Sequence, residues 1–274
     1  MTTLRVAVVQ VGYGDDESVA DRIARVSDLV REACADRELD LVMLPELWAP
    51  SGFAYEGWEA AAEPIDGPWA TAMAALAAEV GVTLHAGSFV ERLPEAGAEG
   101  RSLANTSLLV GADGEVLATY RKVHRFGFGN GEPVLMEAGD QIVVVDLPLA
   151  DGTSVRTGLA TCYDLRFPEQ FRLLLDAGAE VLLVPAAWPM PRVGHWRLLG
   201  RARALENQSV VIQCNTAGTH HQTQMGGHSQ VVAADGEVLA ELAHGDEAVL
   251  HAEIDLSRTA DYRDAFPVLA DRRL

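Results

Sequence analysis

The heptapeptide ADGEVLA occurs twice, at residues 112–118 and 234–240, and each copy follows an apolar run, SLLVG and then SQVVA. Asp-Gly between apolar stretches is a strong hairpin signal, because tight hairpin turns need backbone angles that these residues tolerate. Two unrelated hairpins would produce the same echo. The more constraining account is a chain of two related halves, each contributing a sheet and a pair of helices. The start of the chain fits that account. LRVAVVQV is a β-branched run that predicts a buried strand. In SVADRIARVSDLVREACADREL, Val19, Ile23, Val26, Val30 and Ala33 recur at helical spacing between charges, predicting an amphipathic helix. DLVMLPE is a second buried strand, stopped at Pro45. Strand–helix–strand opens an α/β protein with a parallel pair. Two apolar sheets with helices outside predict a four-layer α–β–β–α sandwich.

The rest of the chain continues in kind. GPWATAMAALAAEVGV predicts a helix ending at Gly81, followed by strands in TLHAGSFVE and in NTSLLVGADGEVLATYRKVH, with a turn at Asp113-Gly114. RLPEAGAEGRS and GFGNGEPVLMEAGD predict loops. QIVVVDL and VRTGLATCYDL predict strands, then comes a helix after Phe167, the strand EVLLVPAAW and the helix HWRLLGRARALENQ. SVVIQCNTAG, HSQVVAADGEVLAEL and AVLHAEIDL close the core as strands. No linker shows a shift in composition, so residues 1–274 are expected to form one domain, with residues 257–274 a polar tail that extends from the body.

Charge narrows the partners. A formal net charge of −19 argues against nucleic acid and against an anionic membrane surface. No apolar run reaches the roughly 20 residues of a membrane helix. The N-terminus MTTLRVAVVQVGYGDD lacks the basic start and long apolar segment of a signal peptide, so a cytoplasmic protein is expected. Cys34, Cys162 and Cys214 are odd in number and scattered, which is no disulfide framework, and no CxxC occurs. His220, His221 and His228, in THHQTQMGGH, have no nearby Cys or paired carboxylate, so a polar loop is expected rather than a metal site. GFGNGE lacks the GxGxxG spacing of a dinucleotide-binding turn. Neither a metal nor a cofactor is expected.

Three residues stand at predicted strand ends, where parallel sheets place ligand groups. Glu46, in LVMLPELW, is a candidate general base or merely a turn cap. Lys122, in YRKVH, is a candidate to stabilise a developing oxyanion or favour a thiolate, or a surface lysine beside Arg121. Cys162 begins a strand-to-helix turn in ATCYDLRFPEQFR, where a thiol can be exposed and backbone N–H groups can face it. Otherwise it is a small buried apolar group. Arg166 suits a substrate carboxylate, or braces the turn against Asp164 or Glu169. Trp188, in PAAWP, walls the pocket or packs in the core.

The order LPELW, YRKVH, CYDLRFPE, together with HWRLLGRARALENQ, NTAG and HSQVVAADGEVLAE, resembles the nitrilase superfamily of carbon–nitrogen hydrolases over essentially the whole chain. CYDLRFPE is similar to the branch with omega-amidase-like and deaminated-glutathione-amidase-like enzymes. The resemblance implies a Glu–Lys–Cys triad. Glu46 would be the general base, Lys122 and the Tyr163 N–H would stabilise the tetrahedral intermediate, and Cys162 would attack the amide carbon of a small linear amide. Ammonia would leave as a thioester forms, which water would then hydrolyse. It also implies a second glutamate that holds Lys122, matched best by Glu132 with Glu137 as competitor, and a homodimer or higher homo-oligomer with the tail at an interface. A nitrilase, an N-carbamoyl amino acid hydrolase, or a retired binding protein on the same fold are the alternatives.

Overall fold

The computed structural model describes residues 2–243 and 245–273. Its first half runs β1 (Thr3–Gln10), α1 (Val19–Cys34), β2 (Leu41–Met43), α2 (Pro68–Val80), β3 (Thr83–Arg92), β4 (Leu103–Val110) and β5 (Val116–Arg121). A flanking strand β6 (Val144–Pro148) precedes the second half: β7 (Ser154–Leu159), α3 (Pro168–Asp176), β8 (Val181–Ala186), α4 (Val193–Asn207), β9 (Val210–Asn215), β10 (Gln230–Val232) and β11 (Val238–Glu241). β12 (Ala248–Asp255) and α5 (Ser257–Ala265) follow. Among the described residues there are two six-stranded sheets, β12-β1-β2-β3-β4-β5 and β6-β7-β8-β9-β10-β11, beside a small third sheet.

The two sheets repeat one plan. β1, β2 and β3 are parallel, as are β7, β8 and β9. Each trio is followed by two antiparallel strands and flanked on its other side by one. The two ADGEVLA copies form the matching hairpins β4–β5 and β10–β11. The heptapeptide therefore marks a duplicated unit rather than a chance turn.

Alternation along the strands builds three apolar layers. Val6 and Val8 of β1 meet Val181 and Leu183 of β8 between the sheets. Ala7 and Val9 face the other way, onto Val26 and Val30 of α1 and Met73 and Leu76 of α2. Leu182 and Val184 similarly face Phe171 of α3 and Trp196 of α4. Both sheet faces are thus covered, which is why the strands read as unbroken apolar runs. Cys214 belongs to the middle layer, its Sγ 3.3 Å from the Val9 carbonyl oxygen, and serves as a small filler.

Several boundaries differ from expectation. α1 is capped by Ser18, whose Oγ accepts the Asp21 N–H at 3.1 Å, but it stops at Cys34 rather than running to Leu39. Ala35 is extended and Asp36 left-handed at φ 56°, so the chain has already turned. The expected strand VRTGLATCYDL ends at Leu159, and CYDLR forms a 3₁₀ turn. The loop GFGNGEPVLMEAGD contains one helical turn, Glu132–Leu135, where the fixed φ of Pro133 suits a first helical position. The tail does not extend from the body. Arg263 of α5 donates to the Gln208 carbonyl at 3.0 Å, and Arg272 pairs with Asp176 at 3.0 Å. Its last residue, Leu274, lies outside the described residues. Among the described residues no helix is long and apolar enough to cross a membrane.

Two buried histidines, His85 and His220, make the fold acid-sensitive, since burial is the first cause pushing each imidazole down from 6.5 to about 4. His85, on β3, is fully buried. Its Nδ1 accepts the Gly87 N–H at 3.2 Å, and Nε2 has no partner among the described residues. Between pH 4 and 6.5 the unfolded chain binds the proton and the folded one does not. Stability is therefore complete above pH 6.5 and falls as pH drops toward 4, by on the order of 3 kcal/mol for each histidine. His85→Asn should roughly halve that slope, leaving the share due to His220. Urea midpoints at pH 7 and pH 5 measure it, and equal pH sensitivity in both proteins would count against this cause.

Candidate active site

The catalytic candidates sit where strands of both halves end on one side of the sandwich. Glu46 follows β2 by way of Pro45. A bulge in β3 between His85 and Ser88 seats this segment. Gly87 lies there at φ 74°, and a Cβ on it would come within 1.9 Å of the Pro45 carbonyl oxygen. Ser88 Oγ accepts the Leu47 N–H at 3.1 Å. Lys122 directly follows β5. Its carbonyl accepts the Gly139 N–H at 2.9 Å, so the chain beyond folds back against it and returns Glu132 to the same place.

Cys162 sits at a strained elbow. Its φ is 48°, a left-handed value that costs a residue with a side chain about 1–3 kcal/mol and persists only where its surroundings fix it. Asp164 does much of the fixing. It is fully buried and accepts the Thr161 N–H at 2.8 Å, the His124 N–H at 2.9 Å and the Tyr120 hydroxyl at 2.6 Å. Arg203 of α4 donates to the Leu165 carbonyl at 2.8 Å from the other side. The first hydrogen bond of the 3₁₀ turn is donated by Asp164 to the Thr161 carbonyl, which leaves the Cys162 and Tyr163 N–H groups ahead of it.

The polar side chains converge on Lys122. Its Nζ donates to Glu46 Oε1 at 2.7 Å and to Glu132 Oε2 at 2.8 Å, and all three residues are at most 3% exposed. Asn105 Nδ2 ties the carboxylates together, at 2.8 Å from Glu46 and 2.6 Å from Glu132. The other Glu46 oxygen accepts the Ala187 N–H at 2.8 Å. Burial works against the Lys122 ammonium, yet the Glu132 and Glu46 carboxylates outweigh it and hold its pKa well above the ordinary value. Burial also lifts Glu132, opposed by Lys122. Burial and the Glu46 charge hold the Cys162 thiol well above its ordinary value, against the pull of Lys122. The surroundings thus favour a thiol over a thiolate at Cys162, beside the Glu46 carboxyl and the Lys122 ammonium. Such a set can move a proton from sulfur to carboxylate as sulfur attacks.

A two-part cavity opens on Cys162. The inner part, ≈ 270 Å³ counted with its open mouth, is lined by Glu46, Lys122, Glu132 and Tyr55. The outer part, ≈ 250 Å³ on the same measure, is lined by Tyr163, Arg166, Trp188 and Arg192. Phe53, Phe126, Cys162 and Ala187 border both.

Glu46, Lys122, Cys162 and Glu132 are thus brought together, and Tyr163, Arg166 and Trp188 stand at the mouth. Glu137 is elsewhere, accepting the Glu99 N–H at 2.8 Å. The bracing expected of Arg166 through Asp164 or Glu169 is absent among the described residues. Asp164 is engaged inside the elbow, while the Arg166 guanidinium stacks 4.7 Å from the Trp188 ring and donates to His195 Nδ1 at 3.3 Å. Trp188 is both wall and core: 2% exposed, it packs against Trp196. The three histidines do not gather. His220 stacks on Tyr13, His221 lies exposed by Asp15, and His228 meets Glu241 at 3.0 Å. Among the described residues no group of three His, Cys, Asp or Glu could hold a metal ion. Asn105, Tyr55 and Arg192 were not legible beforehand: Asn105 sits inside a strand, and nothing about Arg192 in MPRV marks it.

Residues 5–264 match the family model described as Carbon-nitrogen hydrolase. The chain belongs to the carbon–nitrogen hydrolase family. It is similar to a 2-oxoglutaramate amidase of Paenarthrobacter nicotinovorans, at 44% identity over 98% of this chain and 90% of that protein. It is also similar to the omega-amidase NIT2 of Homo sapiens, at 34% identity over 100% of this chain and 96% of that protein. Among solved structures it is similar to Saccharomyces cerevisiae Nit3, a member of the nitrilase superfamily, with a TM-score of 0.84, 28% identity and coverage of 99% and 97% of the two chains. This carbon–nitrogen hydrolase is therefore an enzyme of the amidase type, hydrolysing the C–N bond of a linear amide, on the expected four-layer sandwich.

Proposed function

We propose that this hydrolase uses Cys162 to cleave the terminal amide of a short carboxylic acid, 2-oxoglutaramate or a close relative. The observation that carries the substrate reading is Arg166. Its guanidinium has no carboxylate partner among the described residues and lines the same cavity as Cys162. The names of the relatives support it, since two are called 2-oxoglutaramate amidase.

In this reading the amide enters the inner chamber. Glu46 takes the thiol proton as Sγ bonds to the amide carbon. The oxygen, now negative, is met by the Lys122 ammonium and the Tyr163 N–H. Glu46 returns its proton to the nitrogen, the C–N bond breaks and ammonia leaves a thioester. Glu46 then takes a proton from water as it attacks the thioester carbon, and the thiolate leaves, regaining its proton as the acid is released. Two easier displacements replace one hard one.

The test compares kcat/KM for glutaramate and its uncharged analogue pentanamide, by ammonia release, in wild type and Arg166→Ala. Wild type is expected to favour glutaramate. The ratio should fall roughly ten- to a hundredfold in the variant, the value of a charge-assisted hydrogen bond of about 1.5–3 kcal/mol. An unchanged ratio would remove Arg166 as the carboxylate contact.

A further inference from the structure

The outer chamber carries a second guanidinium that a single substrate carboxylate does not require. Arg192, at the end of the short turn Met190–Arg192 before α4, lines the chamber together with Arg166. It has no carboxylate partner among the described residues, and its guanidinium lies 5.4 Å from the centre of the Phe126 ring. Phe126 borders both chambers, so Arg192 overlooks the passage between the amide end and the tail end of a bound substrate. Its backbone is fixed: the Arg192 carbonyl accepts the Trp188 indole N–H at 2.8 Å. Arg166 and Arg192 are the charged residues lining the outer chamber, and both are cations, in a chain with 40 acidic and 21 basic residues. The carboxylates of the inner chamber, Glu46 and Glu132, are already engaged by Lys122.

We propose that Arg192 is a specificity-determining residue that excludes amides bearing an ammonium group along the chain. It would thereby separate amides of 2-oxo acids from the corresponding 2-amino acid amides. The inference rests on the amidase reading of the Cys162 site and concerns which tails that site admits. One guanidinium facing a substrate carboxylate is neutralised when the acid binds. The second is not, and a cation brought beside it in a partly enclosed chamber meets like-charge repulsion that water screens poorly. A carbonyl or methylene at the same position meets none, and a carbonyl oxygen can accept a hydrogen bond from the guanidinium. An amino acid amide has the right carboxylate and the right amide. Its ammonium is the feature that the Arg192 cation, left without a carboxylate at the mouth, is suited to reject.

Two matched pairs test this by ammonia release. Glutaramate and L-glutamine share one skeleton and differ only by the ammonium. Pentanamide and 4-aminopentanamide do the same without the carboxylate. In wild type the ammonium should lower kcat/KM strongly in both pairs. In Arg192→Gln that penalty should shrink by roughly tenfold or more. Arg192→Lys should keep most of it, because charge and not the planar fork does the excluding. Arg166→Ala should leave a penalty that Arg192→Gln removes. An equal penalty in wild type and Arg192→Gln, in either pair the wild type turns over, would overturn the inference. So would a penalty that Arg192→Lys loses as fully as Arg192→Gln. A wild type that prefers pentanamide to glutaramate would instead defeat the acidic-substrate reading, and the second pair would still decide the role of Arg192.

Discussion

Cys162→Ala is expected to abolish ammonia release, a loss of roughly 10⁴–10⁶-fold if it behaves like removal of other enzyme nucleophiles, while the protein stays folded. The stability half follows from the elbow. Alanine at φ 48° carries the same backbone strain as cysteine, and the contacts that hold the turn belong to Asp164 and Arg203 rather than to the thiol. The activity half follows from the absence of a substitute: Cys34 and Cys214 line neither chamber. Steady-state ammonia assays with thermal melts on one preparation measure both. A variant that keeps wild-type turnover would remove the thioester route altogether. The resting thiol also shapes the pH profile. On the proposed route, with burial and Glu46 holding the sulfur proton, no thiolate need accumulate before substrate arrives, and proton transfer would accompany the attack.

The layers of this fold were legible because alternation along a strand is a local property. Val6 and Val8 against Ala7 and Val9 announce two buried faces without any knowledge of the partner sheet. Strand ends were legible less sharply, since the strand before Cys162 stops at Leu159, and it was the resemblance of LPELW, YRKVH and CYDLRFPE to the nitrilase superfamily that singled out Glu46, Lys122 and Cys162 together. What the sequence withholds is which side chains meet across the two halves. Glu132 and Glu137 lie five residues apart in one loop, and only the fold-back at Gly139 and the helical turn at Glu132 bring one to Lys122 and leave the other half-buried on the Glu99 and Arg101 N–H groups. Arg166 and Asp164 look like a natural ion pair, but Asp164 is claimed by Tyr120 on the last strand of the other sheet and by His124 just beyond it. Asn105 occupies an ordinary strand position, and its bond to both carboxylates depends on two separate loops.

Lys122 offers a way to separate holding the site together from doing its chemistry. Lys122→Met is expected to abolish activity and to destabilise the protein by about 3–5 kcal/mol, the usual result of removing one member of a buried ion pair. The reason is local: Glu46 and Glu132 would remain buried on one Asn105 amide with no cation between them. Burial already lifts Glu132, and losing Lys122 removes the charge that opposes this. A carboxyl whose folded pKa is raised contributes stability that is present at low pH and lost as pH rises through that pKa. The defect should therefore be mild in acid and grow toward neutrality. Lys122→Met combined with Glu132→Gln removes the repulsion, so it should recover much of the stability at neutral pH, more than the sum of the single changes predicts. It should recover no activity, because the cation that meets the oxyanion is still missing. Urea unfolding of the four proteins at two pH values, with ammonia release at neutral pH, reads all of this. A double variant as unstable as Lys122→Met would mean that the two carboxylates do not repel across this site. A double variant with restored turnover would mean that Lys122 only holds Glu132 and Glu46 in place and never meets the reacting oxygen.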